Sequence, residues 1–221
     1  MTMTDNERFA RAIARFDEAN GEDPNRDSAD GHTRPKELLY AERLTAMLAR
    51  FAPQASEALR LAARCQHIQR WKLPRADYPM TRAGYQQWRM RLRDFHAELA
   101  GAILLAVGYD DATIARVRSL IRKEALKTDA EAQTLEDVVD VVFLESYLED
   151  FVAKHPGYDE AKFVDILKKT GKKMSARGRE AALTLISPPP ALRPVIRKAM
   201  EEAGAPGTPL GPRPREGDED R

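Results

Sequence analysis

The segment TRAGYQQWRMRLRDFHAELAGAILLAVG, residues 81 to 108, constrains the fold most strongly. Tyr85, Trp88, Leu92, Phe95, Leu99, Ala102 and Ala106 recur at three- and four-residue spacing, so one long helix keeps a single apolar face in register over its whole length. Thr81 suits its N-terminal cap and Gly108 its C-terminal stop. A helix this long needs partners for its buried stripe, and the rest of the chain offers more helices. Thr4 and Glu7 have the spacing of a capping box, followed by Phe9, Ile13 and Phe16. Pro35 suits the first turn of a second helix with Leu38, Leu44, Met47, Leu48 and Phe51, and a third is expected from about Gln54 to Trp71. Ile114, Val117 and Ile121 mark a fifth. Thr128 with Glu131 caps a sixth, TLEDVVDVVFLESYLEDFV, and shorter ones follow near 159–173 and 175–186.

No run alternates apolar and polar residues between turn signals, so no strands are expected. The fold expected is all-α, a single-domain multi-helix bundle spanning residues 1–186. ANGEDPNRDSADGHTRP, residues 19–35, is a polar connection of unusual length and a candidate binding loop or flap. Eight of the 14 prolines lie from residue 188 onward, so 187–221 reads as a Pro-rich, largely disordered tail, with 203–221 having no apolar face to bury. With 36 Lys and Arg against 35 Asp and Glu the net charge is +1, which argues against a protein coated everywhere by nucleic acid but leaves local patches open. The one cysteine, Cys65, excludes an intramolecular disulfide and a cysteine zinc cluster. The charged N-terminus and the lack of any bilayer-length apolar stretch point to a cytoplasmic protein with no membrane partner.

Three groups of residues could carry chemistry. His67, in LAARCQHIQRW, shares a stripe with core positions of the third helix, and His96 borders the buried face of the long one. Converging imidazoles would suit zinc, iron, manganese or nickel, whereas separately each is a hydrogen-bonded histidine at a helix edge. Glu136 and Asp140 lie one turn apart, with Asp137 between them, among Val138, Val139, Val142 and Phe143. Carboxylates so near a core are costly unless paired, hydrogen-bonded or metal-bound; an acidic face at a helix start is the other account, although Asp140 lies well inside the helix. From 70 to 93 the cations Arg70, Lys72, Arg75, Arg82, Arg89, Arg91 and Arg93 face one acid, Asp77, with Trp71, Tyr78, Tyr85 and Trp88 interleaved. Guanidinium groups grip phosphate oxygens and flat rings stack on bases, which suits a nucleotide, another phosphorylated molecule or RNA. A solvated helix face with its rings turned inward explains the same pattern. HIQR and KMSAR look like the signature boxes of class I aminoacyl-tRNA synthetases, but the strand-to-helix context those boxes need is missing.

The runs FDEANGEDPN, RPKELLYAERLT, LAARCQHIQRWKLPRADYPMTRAGYQQWR, FHAELAGAILLAVGYD and TLEDVVDVVFLESYLEDF together resemble a domain-of-unknown-function family of bacterial and fungal proteins, some labelled glutamyl-tRNA synthetase-like. The resemblance covers roughly residues 9–186. More distantly, the helix order resembles that of the HD-domain metal-dependent phosphohydrolases, an all-α superfamily. That likeness places Glu37 where a His is expected, Gln66 or His67 at the His-Asp pair, His96 on a further ligand helix and Asp137 or Glu136 at the last Asp. The pair itself is broken in either register. The likeness implies a single divalent ion (Mn, Fe, Ni or Zn) held by His67, His96, Glu37 and Asp137, with Asp137 and Glu136 as catalytic carboxylates. Arg70, Trp71, Lys72, Arg75, Tyr78 and Arg82 would then bind substrate. The expected activity is hydrolysis of a nucleotide or other phosphorylated small molecule. The alternative is a non-catalytic helical module that binds nucleotide or RNA through residues 70–93.

Overall fold

A computed structural model describes residues 4–205 apart from Asp30 and Lys127. Ten α-helices, one small hairpin and three short 3₁₀ turns make up the described residues, as the all-α expectation requires. The helices are α1 (Asp5–Gly21), α2 (Lys36–Phe51), α3 (Glu57–Cys65), α4 (Arg82–Val107), α5 (Asp111–Arg122), α6 (Ala130–Ser146), α7 (Leu148–Ala153), α8 (Glu160–Gly171), α9 (Ala176–Thr184) and α10 (Arg193–Gly204). Among the described residues no helix is long and apolar enough to cross a membrane.

Local chemistry sets most of the ends. Thr4 and Glu7 form the expected reciprocal capping box on α1. Thr81 accepts from the Gly84 N–H at 3.1 Å to open α4, and Gly108 closes it at φ +92°, a conformation that favours glycine. The start of α6 differs from expectation. Asp129, not Thr128, accepts from the N–H groups of Glu131 and Ala132, so the Thr128–Glu131 box is not used. The sixth helix is also shorter than its apolar pattern suggested, stopping at Ser146 before the short α7.

Short α3, buried from Leu61 to Cys65, lies at the centre and packs on α1, α2, α5 and α6. Leu61, Ala62, Ala63 and Cys65 are inaccessible to solvent, and Phe16, Leu44, Leu104, Val117 and Leu144 enclose them. Burial pushes the Cys65 thiol well up, which keeps it protonated and suits a packing role. Helix α3 stops at Cys65 instead of continuing to Trp71. Residues 66–69 form a turn in which Gln69 takes φ +51°, and its N–H donates to Asn20 Oδ1 at 2.9 Å. His67 therefore sits in a turn and not on the helix stripe that its spacing suggested.

Two expectations are corrected. Part of the polar 19–35 segment forms strands, β1 (Arg26–Ala29) and β2 (His32–Pro35), paired antiparallel with Arg26 opposite Pro35. Gly31 in the connection has φ +77°. The hairpin is anchored by a two-pronged Arg34–Glu42 pair at 2.6 Å and by Asp23, which is 1% exposed. Asp23 accepts from the Asn25 N–H and side-chain amide and from the Glu37 N–H, thereby fixing the first turn of α2. The helical part also extends past residue 186. Pro194 lies in the first turn of α10, where its missing N–H costs nothing, and Ile196, Ala199 and Met200 are buried, with α10 packed on α8. Of the expected disordered tail, residues 206–221 lie outside the described residues.

Candidate functional site

The turn after α3 makes one wall of a cavity of about 140 Å³ with Gln66, His67 and Arg70; α4 supplies Arg89, Leu92, Arg93 and His96; Ile121, Lys123 and Val139 complete it. Arg89, Arg93 and His96 follow one another at i, i+4 and i+7, which puts all three on one face of α4. Lys123 enters because it ends α5 at φ +59°. It and Gln69, which lies in the turn between His67 and Arg70, are the two non-glycine residues with left-handed backbone among the described residues. For Lys123 the conformation is that of a left-handed helix cap, its N–H bonded back to the Leu120 and Ser119 carbonyls, and it turns the side chain toward the cavity.

Both histidines are held neutral. His96 is 2% exposed, and burial, then the facing His67, brings its imidazolium pKa down to about 3. Its Nδ1 lies 2.8 Å from the Ile68 carbonyl, which can only accept, so Nδ1 carries the proton and Nε2 presents a bare lone pair. That Nε2 has no partner among the described residues. Tyr40 stacks on His67 at 4.4 Å and 8°, and the two imidazole centroids are 5.8 Å apart. Burial and then Arg70 push the His67 pKa well down. The Arg70 guanidinium lies 3.3 Å from its Nε2 and must donate, which turns Nδ1–H toward Glu37 Oε2 at 3.7 Å. Glu37, itself buried, has its pKa raised to about 7 by desolvation, with Arg70 opposing.

The cations are the distinctive part. Lys123 pairs with Glu136, and the side chains of both are 8% exposed. Arg70, Arg89 and Arg93 have no carboxylate within salt-bridge distance among the described residues. Arg89 reaches only the Tyr85 hydroxyl, at 3.4 Å, and Arg93 Nε is buried with no partner. Burial, then the neighbouring Arg89, lowers the Arg93 pKa. Gln66 Oε1 is buried and unpartnered as well. Three orphaned polar atoms and an excess of positive charge thus surround one space.

The expected ligand set divides. His67, His96 and Glu37 gather, but Asp137 is turned elsewhere. It accepts from the Ser175 N–H at 2.8 Å, the Ser175 hydroxyl at 2.5 Å and the Gln133 amide at 3.0 Å, joining α6 to the start of α9. A Cβ on Gly178 would stand 2.6 Å from that carboxylate, which leaves no room for a ligand there. Glu136 is committed to Lys123 and acts as a positioning residue. Among the described residues no three His, Cys, Asp or Glu side chains converge as a metal site requires. A dication between the imidazoles would also sit among four cations. The residues present therefore do not fit the expected Mn, Fe, Ni or Zn.

The expected substrate residues divide too. Arg70 lines the cavity. It also lines a second, open groove of about 470 Å³ with Glu37, Trp71, Arg75 and Trp88. Arg75 is tied to the Tyr78 and Pro79 carbonyls, both at 2.8 Å, and holds its loop together. Lys72, Tyr78 and Arg82 line neither space. Sequence reasoning named Arg89 and Arg93 only as part of a basic stretch and passed over Gln66 and Lys123 as ligand-binding groups. The i, i+4, i+7 spacing of Arg89, Arg93 and His96 was the available signal; for Lys123 there was none, since nothing marks a lysine for left-handed backbone.

Comparison with curated proteins gave no match, and comparison with solved structures gave none either. A family profile described as a domain of unknown function, DUF4202, matches residues 10–196, which takes in every element of the cavity and both of its neighbouring helices. The chain belongs to this DUF4202 family.

Proposed function

We propose that the protein binds the phosphoryl group of a phosphorylated small molecule in the cavity between the α3–α4 turn, α4 and the end of α5. The observation that carries this is the set of three guanidinium groups, Arg70, Arg89 and Arg93, left without carboxylate partners around one confined space. Like charges held together around one partly buried space without carboxylate partners repel one another, and an anionic ligand would supply the missing counter-charge. Guanidinium groups suit a tetrahedral oxyanion because their N–H forks meet its oxygens in pairs. At roughly 30 Å³ per water, 140 Å³ is room for one phosphoryl group with a little solvent.

A second reading, hydrolysis of the bound ester, is favoured by one specific observation. His96 presents a bare Nε2 to the cavity in a tautomer fixed by Ile68, an acceptor that can hold and orient an attacking water, although its lowered pKa makes it a weak base. The distant resemblance to HD phosphohydrolases agrees with that chemistry, although the donor set for their metal is incomplete here. No step is therefore assigned to a metal.

The test is a panel of inorganic phosphate, sugar phosphates and nucleotides, scored by the rise in melting temperature and by phosphate release, with and without Mn, Fe, Ni or Zn. Stabilisation by phosphorylated compounds, absent in Arg89→Gln/Arg93→Gln, supports the binding reading. Phosphate release that His96→Gln abolishes supports hydrolysis. Stabilisation by a metal alone, with none by any phosphate, would overturn the binding reading.

A further inference from the structure

The cavity does not end at Arg70. The same side chain forms a wall of the outer groove, and Glu37, which faces His67 on the cavity side, lines that groove too. A molecule whose phosphoryl group lies among Arg70, Arg89 and Arg93 would leave its organic part in this groove.

Two residues there lack the partners their chemistry asks for. Glu37 is 7% exposed, yet its carboxylate accepts no hydrogen bond among the described residues; the His67 Nδ1 approaches it at 3.7 Å, too far for one, and Arg70 acts on it only through its charge. A carboxylate so enclosed calls for donors, and two adjacent N–H groups would satisfy both of its oxygens. Trp71 is half-buried, and its ring has no aromatic or cationic partner among the described residues. Trp88 differs on each point. It is 8% exposed, Arg70 lies over its ring at 5.0 Å, and its N–H donates to the Leu73 carbonyl at 2.9 Å. Trp88 is part of the wall, and Trp71 offers a free face.

We infer that the outer groove is a base subsite for a purine of the guanine type, its ring stacked on Trp71 and its adjacent ring and amino N–H groups donated to the Glu37 carboxylate. This rests on the phosphoryl reading of the cavity for its full ligand, a guanine nucleotide, but the subsite has its own residues. Adenine presents an acceptor where guanine presents its ring N–H, so the carboxylate distinguishes the two.

The experiment is isothermal titration of the full chain with guanosine, adenosine, ribose phosphate and inorganic phosphate. Guanosine is expected to bind at least about tenfold more tightly than adenosine, with Glu37→Gln removing that preference. Trp71→Leu is expected to weaken guanosine by about tenfold, the scale of one stacking contact. Equal affinity for the two nucleosides, or an unchanged guanosine affinity in Trp71→Leu, would overturn the inference. If inorganic phosphate binds and guanosine does not, the base subsite falls while the phosphoryl pocket stands. If guanosine binds and inorganic phosphate does not, the pocket falls and the subsite stands. If neither binds, both fall.

Discussion

The α6–α9 junction and the α4 cavity bury charged groups a short distance apart along the same helical frame, and they treat them in opposite ways. At the junction Asp137 spends both oxygens on donors from Ser175 and Gln133, and Ser175 in turn caps α9 through the Gly178 N–H. At the start of α6 the half-buried Arg116 is bound by Asp129 and Glu131 together, which raises its pKa and lowers that of Asp129. In the cavity Arg70, Arg89 and Arg93 meet no carboxylate, and Gln66 and His96 keep orphaned atoms. The chain can satisfy buried charge where stability alone is at stake. Single unpartnered polar atoms occur elsewhere, at Arg8, Arg118, Asp140 and Tyr147. Only here do three of them line one cavity with three guanidinium groups that have no carboxylate partner among the described residues, the mark of a site whose missing partner is a ligand.

That contrast can be broken at either end. The largest effect is expected at the satisfied end, where Asp137→Ala strips three hydrogen bonds from a buried carboxylate and leaves Ser175 without its partner. A loss of about 3–5 kcal/mol is predicted, read as a fall in the chemical-denaturation midpoint, with phosphate affinity per folded molecule preserved. A loss below about 1 kcal/mol would show that the junction is not the structural joint described.

Next comes the pH dependence of the buried acids. Desolvation raises Glu37 from its usual 4.5 to about 7, so the folded state holds a proton that the unfolded state has released. Its favourable contribution is complete below about pH 4.5 and is lost as pH rises through about 7. Glu37→Gln, which cannot ionise, should therefore gain about 2–3 kcal/mol over the native chain at pH 8 and almost nothing at pH 4. Asp140, raised to about 7 by burial and then by Glu136, should make Asp140→Asn behave in the same direction. Denaturation curves at the two pH values check both; a gain that is equal at each pH would contradict the assignment.

The smallest effect has the most telling sign. Arg93→Gln removes a guanidinium crowded by Arg89, so the empty protein should become more stable by about 0.5–1 kcal/mol while phosphate binding weakens about tenfold. A variant that loses both stability and affinity would place Arg93 among ordinary structural residues.

The sequence showed the helices whose signals are local. Helix α4 was legible from Thr81, its apolar spacing and Gly108, and α1 from its capping box. The hairpin was not, because RDSADGHTRP lacks both alternation and β-branched runs, and its anchors lie outside it, in Asp23 and Glu42. An Asp-Gly dipeptide at its centre was the signal available. Prolines concealed α10, since three of them precede it as a rigid lead-in and a fourth fits its first turn. His67, His96 and Glu37 were selected from the sequence and do come together. Asp137 was selected with them and does not, because its partner Ser175 lies 38 residues away and nothing local announces it. The site's charge was visible as a stretch, but its geometry depended on Lys123 and Gln69 taking left-handed backbone, which residue identity did not signal.

The central claim is that the cavity is an anion site built from unpaired guanidinium groups. Isothermal titration of inorganic phosphate into the native chain and into Arg89→Gln/Arg93→Gln tests it most directly. Saturable one-to-one binding that weakens with added salt and falls by about a hundredfold in the double variant is the predicted result. Binding of equal strength in both proteins, or none in the native chain, would contradict the account.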